Sequence, residues 1–230
     1  MYTLEKNKIY NIDCIKGMRQ LPDNYIDLTL TDIPYDEVNR DDSGLRNLNK
    51  GDADILLFSL DCFLDEVYRV TKSTVIVFCG EEQVSSIHKY FSKKQRNHKG
   101  TVRQLIWEKT NPSPMNGKYI YLSGIENIMW FKKSGGTFNA HCKNVVFRYP
   151  TGRSKLHPTE KNHKLLEELI CDNSNENDII LDPCCGSGSH LFISKQLNRN
   201  FIGFDISEEY CNIARKRINN ISTLNDWLEW

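Results

Sequence analysis

The 230-residue chain has no net charge, no CxxC pair, no long apolar run and no internal repeat, and each absence removes a class of protein. Lysine plus arginine and aspartate plus glutamate both number 30. No global field therefore steers a polyanion, and a nucleic-acid partner would have to meet a local basic face. The eight cysteines are scattered among apolar segments, and with no signal-like N-terminus they read as reduced thiols of a cytoplasmic protein. The adjacent pair Cys184 and Cys185 has no second ligand pair, so no metal is expected. No apolar run approaches the ~20 residues of a membrane helix, so a soluble protein with no membrane partner is expected.

What is present alternates short apolar runs with helical periodicity, the pattern of an α/β sheet in one domain, 1–230. Strand candidates are KIYNID (8–13), IDLTLTD (26–32), TVIVFCG (74–80), RQLIWEK (103–109), ENIMWFKK (126–133), DIILD (178–182) and NFIGFDI (200–206). Apolar residues at helical spacing, from Ile55 to Val67 and from Leu165 to Ile170, predict helices between them. After Asp205, Ser207 is an N-cap, Glu208 and Glu209 occupy a first turn, and Arg215, Lys216 and Arg217 approach a helix end. Two polar stretches interrupt the alternation. Residues 39–54 are read as an active-site loop and 134–156 as a short, basic binding insert.

Two constellations carry chemistry. In TDIPY (31–35) a core strand ends on Asp32, with Pro34 and Tyr35 beyond it. A strand-to-loop turn would use the same residues. In the second, strand DIILD runs into PCCGSGSH. Gly186 and Gly188 let a ligand approach the backbone at the carboxyl end of a strand, and Asp205 ends the next strand at ribose-binding range. The dinucleotide fingerprint requires a third glycine where this chain has Leu191. That disfavours a nicotinamide dehydrogenase and favours a phosphate-free nucleoside such as S-adenosylmethionine.

The motifs together resemble the amino-methyltransferases of DNA, in the permuted class whose catalytic motif precedes its cofactor motif. TDIPY resembles the Asp-Pro-Pro-Tyr motif, LDPCCGSGS the Asp-Pro-Phe-x-Gly-Ser-Gly loop, and LHPTEKN (156–162) the His-Pro-Thr-Glu-Lys-Pro segment. IYNIDCIKGMRQLPDNYIDL (9–28) resembles the segment before the catalytic motif. Three positions depart from the pattern: Ile33 and Asn162 replace prolines, and Cys184 replaces the phenylalanine. The resemblance implies a Rossmann-like fold with a seven-stranded, mostly parallel sheet, helices on both faces and circularly permuted motif order. It implies S-adenosylmethionine as cofactor, held by Asp13, Cys14, Asp32, His157, Thr159, Lys161, Asp182, Pro183, Cys184, Gly186, Ser187, Gly188, Ser189, Asp205 and Ile206.

The substrate so implied is the N6 amine of adenine in double-stranded DNA, because the catalytic motif opens with Asp; N4 of cytosine is the close alternative, and an inactive DNA-binding homologue the non-enzymatic one. An exocyclic amine is a poor nucleophile because its lone pair is delocalised into the ring. Two acceptors on its N–H groups, the Asp32 carboxylate and the Ile33 carbonyl, favour a pyramidal nitrogen facing the methyl donor. Tyr35 stacks on the extruded base and Pro34 fixes the turn. Lys143, Arg148, Arg153 and Lys155 of the insert are the expected phosphate contacts. The insert is too short for an independent recognition domain. A homodimer, a specificity subunit or a cognate restriction enzyme are partners compatible with that.

Overall fold

The computed structural model describes residues 4–35, 58–114, 117–152 and 161–219. The loop at 39–54, His157, Thr159, Arg153 and Lys155 lie outside the described residues. The chain alternates as β1 (Lys8–Asn11), α1 (Cys14–Met18), β2 (Ile26–Asp32), α2 (Leu60–Val70), β3 (Thr71–Cys79), α3 (Glu81–Arg96) and β4 (Gly100–Lys109). It continues as β5 (Ile125–Lys133), β6 (Val146–Tyr149), α4 (His163–Asn173), β7 (Ile179–Asp182), α5 (Ser189–Gln196), β8 (Asn200–Asp205) and α6 (Glu208–Asn219).

The strands form one sheet in the order β1-β8-β7-β2-β3-β5-β4-β6. Only β5 runs against its neighbours. The sheet has eight strands where seven were expected. The extra one, VFRY, comes from the segment read as irregular and pairs in parallel with β4, Ile106 to Val146 and Lys109 to Tyr149. Four residues are too few to show an alternation against the flanking polar sequence, and their place is set by pairing with β4.

Alternating side chains of each strand enter two cores, as the period of a pleated strand requires. Leu28, Leu30, Ile76, Phe78 and Ile180 pack on one face with Leu165 and Leu169 of α4, Leu191 of α5 and Ala214 of α6. Ile26, Val75, Val77, Leu181 and Phe204 pack on the other with Met18 of α1, Phe63 and Val67 of α2, and Ile87 and Phe91 of α3. With both faces covered, β3 reads as a near-continuous apolar run, VIVFC, whereas β2, IDLTLTD, alternates apolar residues with Asp27, Thr29 and Thr31, which are buried too. Truncating any of the fully buried leucines here is worth about 2–5 kcal/mol.

Local signals end the elements. Ser59 caps α2 by accepting from Cys62 N, and Arg69 at its other end donates to Glu66 and to Asp23, each at 2.7 Å. Ser207 accepts from Tyr210 N at the head of α6, as its sequence predicts.

The order of the strands also locates a cleft. From β7 the chain crosses over α5 to β8, on one side; from β2 it crosses over α2 to β3, on the other. The seam between them, Leu28 to Ile180 and Thr29 to Leu181, is a topological switch point. Ligands of open α/β sheets lie at the carboxyl ends of strands flanking such a point. Here those ends are Asp182 and Asp32.

Candidate active site

The seam brings both constellations to one edge of the sheet. Beyond β2, Ile33 continues the strand long enough to donate its N–H to Phe78 O at 3.2 Å, and its side chain is buried in the core. An isoleucine in place of the motif's first proline thus keeps an N–H that a proline would lack, and uses it. The turn that follows is pinned by Gln83 of α3, which sequence reasoning missed. Its Nε2 donates to Pro34 O at 2.8 Å while its Oε1 accepts from Gly80 N at 2.9 Å. Glutamine in a helix's first turn gave no sequence signal because its partner lies on another loop.

Tyr35 is not the exposed ring its loop position suggests; it is half-buried against Gly80. Its hydroxyl accepts from Lys161 Nζ at 3.2 Å and lies 3.5 Å from Glu126 Oε2. Burial, and then Asp32, push its pKa well above the usual tyrosine value, so it acts as a neutral ring and hydroxyl.

Asp32 itself is held on one oxygen only. Oδ2 meets Lys161 Nζ at 2.8 Å. Oδ1 is buried and accepts no hydrogen bond among the described residues. A buried acceptor with no donor is costly, by about 1–3 kcal/mol, and such atoms concentrate where a ligand supplies the missing proton. The neighbouring Cys79 thiol is pushed up to about 12 by burial and by Asp32, so it stays neutral.

Lys161 is buried and lies over the rings of Tyr35 and Phe78. The resemblance assigns it to the cofactor; its ammonium meets Asp32 Oδ2, Glu126 Oε2 and the Tyr35 hydroxyl. Glu126, at the start of β5, also binds Lys109 at 3.0 Å through Oε1. Neither Glu126 nor Lys109 was singled out from sequence, because only the antiparallel course of β5 carries its first residues to the edge where β2 and β4 end.

The second half is a braced glycine loop. Asp182 is buried, with Oδ2 at 2.7 Å from His190 Nδ1 and Oδ1 accepting from Cys184 N at 3.2 Å. Its carboxylate shapes the loop from inside. Gly186 and Gly188 both hold positive φ, +48° and +79°. At Gly188 a Cβ would strike Ala214 Cβ at 2.7 Å, so this glycine lets α5 meet α6; at Gly186 it would meet nothing within 4 Å.

Asp205 accepts from Gly186 N and Ser207 N, each at 2.8 Å. Burial raises its pKa against the pull of those two amides. Each oxygen keeps a lone pair for a hydroxyl donor. The N-terminal segment closes this side, with Ile12 N bonded to Asp205 O at 3.0 Å. Asp13 caps α1 by accepting from Lys16 N, and the neighbouring Cys14 thiol together with burial raises the Cys184 pKa well above the usual thiol value. Ile206 stands beside them as an exposed apolar side chain.

Of the expected DNA contacts, Arg148 lies on the outer strand β6 and pairs with Glu108 at 3.0 Å. Lys143 sits among Asp172 and Glu168 of α4, meeting three carboxylate oxygens at 2.6–2.8 Å. It clasps the insert to α4. The basic run near the end of α3 (Lys93, Lys94, Arg96) lies at the sheet edge where β4 begins, opposite Asp32.

An open sheet whose switch point is flanked by a glycine loop, a ribose-range carboxylate and a second carboxylate on the adjoining strand is the architecture of a Rossmann-like methyltransferase. The chain belongs to the DNA methylase family, which matches residues 26–216, and so to the S-adenosylmethionine-dependent amino-methyltransferases of DNA, the N6-adenine/N4-cytosine type. It is 31% identical over 234 residues to the Type II methyltransferase M.HpaI of Haemophilus parainfluenzae, covering 90% of this chain and 73% of the relative. It is 30% identical to the Type II methyltransferase M2.LlaDCHI of Lactococcus lactis subsp. cremoris, covering 96% and 93%. Among solved structures, the M1.HpyAVI complex with SAM superposes with a TM-score of 0.68 at 28% identity, over 91% of this chain and 98% of that one.

Proposed function

We propose that the protein methylates the N6 amine of adenine in double-stranded DNA, on a base turned out of the duplex into the cleft between Asp32 and the glycine loop. The observation that carries this reading is the Asp32 carboxylate, with an oxygen that has no donor among the described residues, standing across the β2/β7 seam from a loop shaped for a nucleoside.

The residues fit S-adenosylmethionine. The unfilled space at Gly186 admits a ligand against the backbone, Asp205 offers acceptors to a ribose diol, and Ile206 offers an apolar face to the adenine beside Asp13. When bound, the cofactor supplies an electrophilic methyl group on a sulfonium. The chain's own residues prepare the acceptor. Asp32 and the Ile33 carbonyl draw on the two N–H bonds of the amine, which turns its lone pair out of the ring and toward the cleft. Tyr35 stacks on the base, offsetting part of the few kcal/mol that extrusion costs. The amine proton leaves after transfer, so the site works by alignment and charge rather than by a strong base.

The names of the Type II relatives favour a setting in restriction and modification, with methylation protecting a short site. Incubation with duplex DNA and methyl-labelled S-adenosylmethionine, followed by mass spectrometry of the nucleosides, tests the reading. N6-methyladenine supports it; N4-methylcytosine moves the target to the other base; absence of label with retained DNA binding refutes the enzymatic reading.

A further inference from the structure

The centre of the site contains a side chain with no part in the scheme above. Lys161 has three ammonium protons and spends them on three different acceptors: Asp32 Oδ2 at 2.8 Å, Glu126 Oε2 at 2.8 Å and the Tyr35 hydroxyl at 3.2 Å. Two of these are the groups assigned to the base, its acceptor and its stacking ring. The third is a glutamate at the head of a different strand, fixed by Lys109 through its other oxygen. Asp32 and Tyr35 thus have a common tether, and Glu126 is where the tether is anchored.

We infer that Glu126 is a positioning residue for methyl transfer, acting through Lys161 to hold the Asp32 carboxylate and the Tyr35 ring in one fixed relation. The inference rests on the reading of the site given above and goes beyond it, since no step of that scheme involves Glu126.

Charge supports the geometry. Asp32 and Glu126 balance Lys161 and Lys109, so the network is neutral as it stands. Methyl transfer leaves positive charge on the amine before its proton departs. A neutral side chain at position 126 would set that charge beside an excess of ammonium, in a site where burial makes such interactions strong. Burial alone would push the Lys161 ammonium toward its neutral form; Asp32, Tyr35 and Glu126 together outweigh it and hold its pKa well above the ordinary lysine value. Burial opposes the charge on Glu126 too, and Lys161 and Lys109 overcome it to lower that pKa. The two charges sustain one another, so removing Glu126 loosens the proton on Lys161.

The test compares wild-type protein with Glu126→Gln and Glu126→Asp. Methyl transfer to DNA is followed as a function of pH, S-adenosylhomocysteine affinity by calorimetry, and the Lys161 ammonium by 15N NMR. Glu126→Gln is expected to lower kcat by about 10- to 100-fold, the range set by a misplacement near 1 Å, with KM for DNA and inhibitor affinity changed by no more than about threefold. The alkaline limb of the rate profile and the Lys161 titration both move to lower pH, and Glu126→Asp recovers part of each. A kcat within about twofold of wild type, or a loss of rate with no displacement of the Lys161 titration, overturns the inference. The NMR arm needs no turnover. Absence of methyl transfer by the wild-type protein would therefore count against the proposed activity alone, while the Lys161 titration still decides the Glu126 coupling.

Discussion

Gly186 and Gly188 lie two residues apart in one loop, both with positive φ, yet an added methyl group should damage the protein in two different ways. An L-residue in the left-handed region costs about 1–2 kcal/mol at either position. At Gly188 the new Cβ also falls 2.7 Å from Ala214 Cβ and 3.2 Å from its Cα, both on α6 and neither able to swing aside. Overpacking of this kind adds about 1–3 kcal/mol. Gly188→Ala should therefore lower the melting temperature by roughly 4–20 °C in a domain of this size, while Gly186→Ala lowers it by only about 2–8 °C. For ligand binding the order reverses. The Gly186 methyl enters the space where a cofactor would approach the backbone, and a contact of that kind costs about 10- to 100-fold in affinity. Thermal unfolding of both variants, with calorimetric titration of S-adenosylmethionine, separates the effects. Equal destabilisation of the two variants would refute the packing clash at Gly188, and wild-type cofactor affinity in Gly186→Ala would show that the cofactor does not lie against Gly186.

Asp32→Asn should reduce methyl transfer about 10²- to 10³-fold while leaving cofactor affinity within about threefold, measured by single-turnover transfer and calorimetry. Tyr35→Ala should weaken capture of the target base by about 1–3 kcal/mol, seen as a higher KM for DNA, whereas Tyr35→Phe keeps the stacking face and most of the activity. Away from the site, burial lowers the Lys133 pKa to about 8, with the nearby Lys94 and Lys99 adding to the shift against Asp23. A lysine depressed on folding contributes stability that is complete above its unfolded value of about 10.4 and lost as pH falls through about 8. Above about pH 8.5 this contribution is opposed by the buried Cys79, Cys184 and Cys185 thiols, whose pKa values folding raises, so the Lys133 part is read from urea unfolding as the difference in pH slope between the wild-type protein and Lys133→Met. An unchanged slope in the variant would locate the titration elsewhere.

The strands of the two constellations were legible for different reasons: IDLTLTD alternates apolar and polar residues at the period of a strand, while IILD and NFIGFD are short apolar runs closed by an aspartate. IDLTLTD is β2 residue for residue, and Asp182 and Asp205 end β7 and β8 where their motifs put them. What the sequence hid depends on partners far along the chain. Strand direction leaves no trace in a pattern of period two, so Glu126 read as the polar start of a strand rather than as a group at the catalytic edge. Lys161 could be assigned only by resemblance, because its contacts come from β2, the loop after it and β5. Arg148 and Lys143 looked alike as basic residues of an insert. One pairs on an open edge strand and the other is clasped by three carboxylate oxygens, a difference made by α4.

The permuted order of the motifs is no obstacle to a common site, because the cleft is defined by which strands adjoin and not by which is made first. The β2/β7 seam sets the acceptor half of the site against the cofactor half through the pairs Leu28 to Ile180 and Thr29 to Leu181. The pairing of β1 with β8, Asn11 opposite Asp205, then sets Asp13 beside the carboxyl end of β8. These contacts join segments near opposite ends of the described chain, and closing so long a loop costs only about 0.6 kcal/mol more for each doubling of its length. Burial of Ile9, Leu28 and Ile180 in the same core exceeds that several times over, at about 1.5–3 kcal/mol for each side chain. A chain cut and rejoined elsewhere would keep those burials, so the meeting of Asp32 with the glycine loop is a property of the sheet.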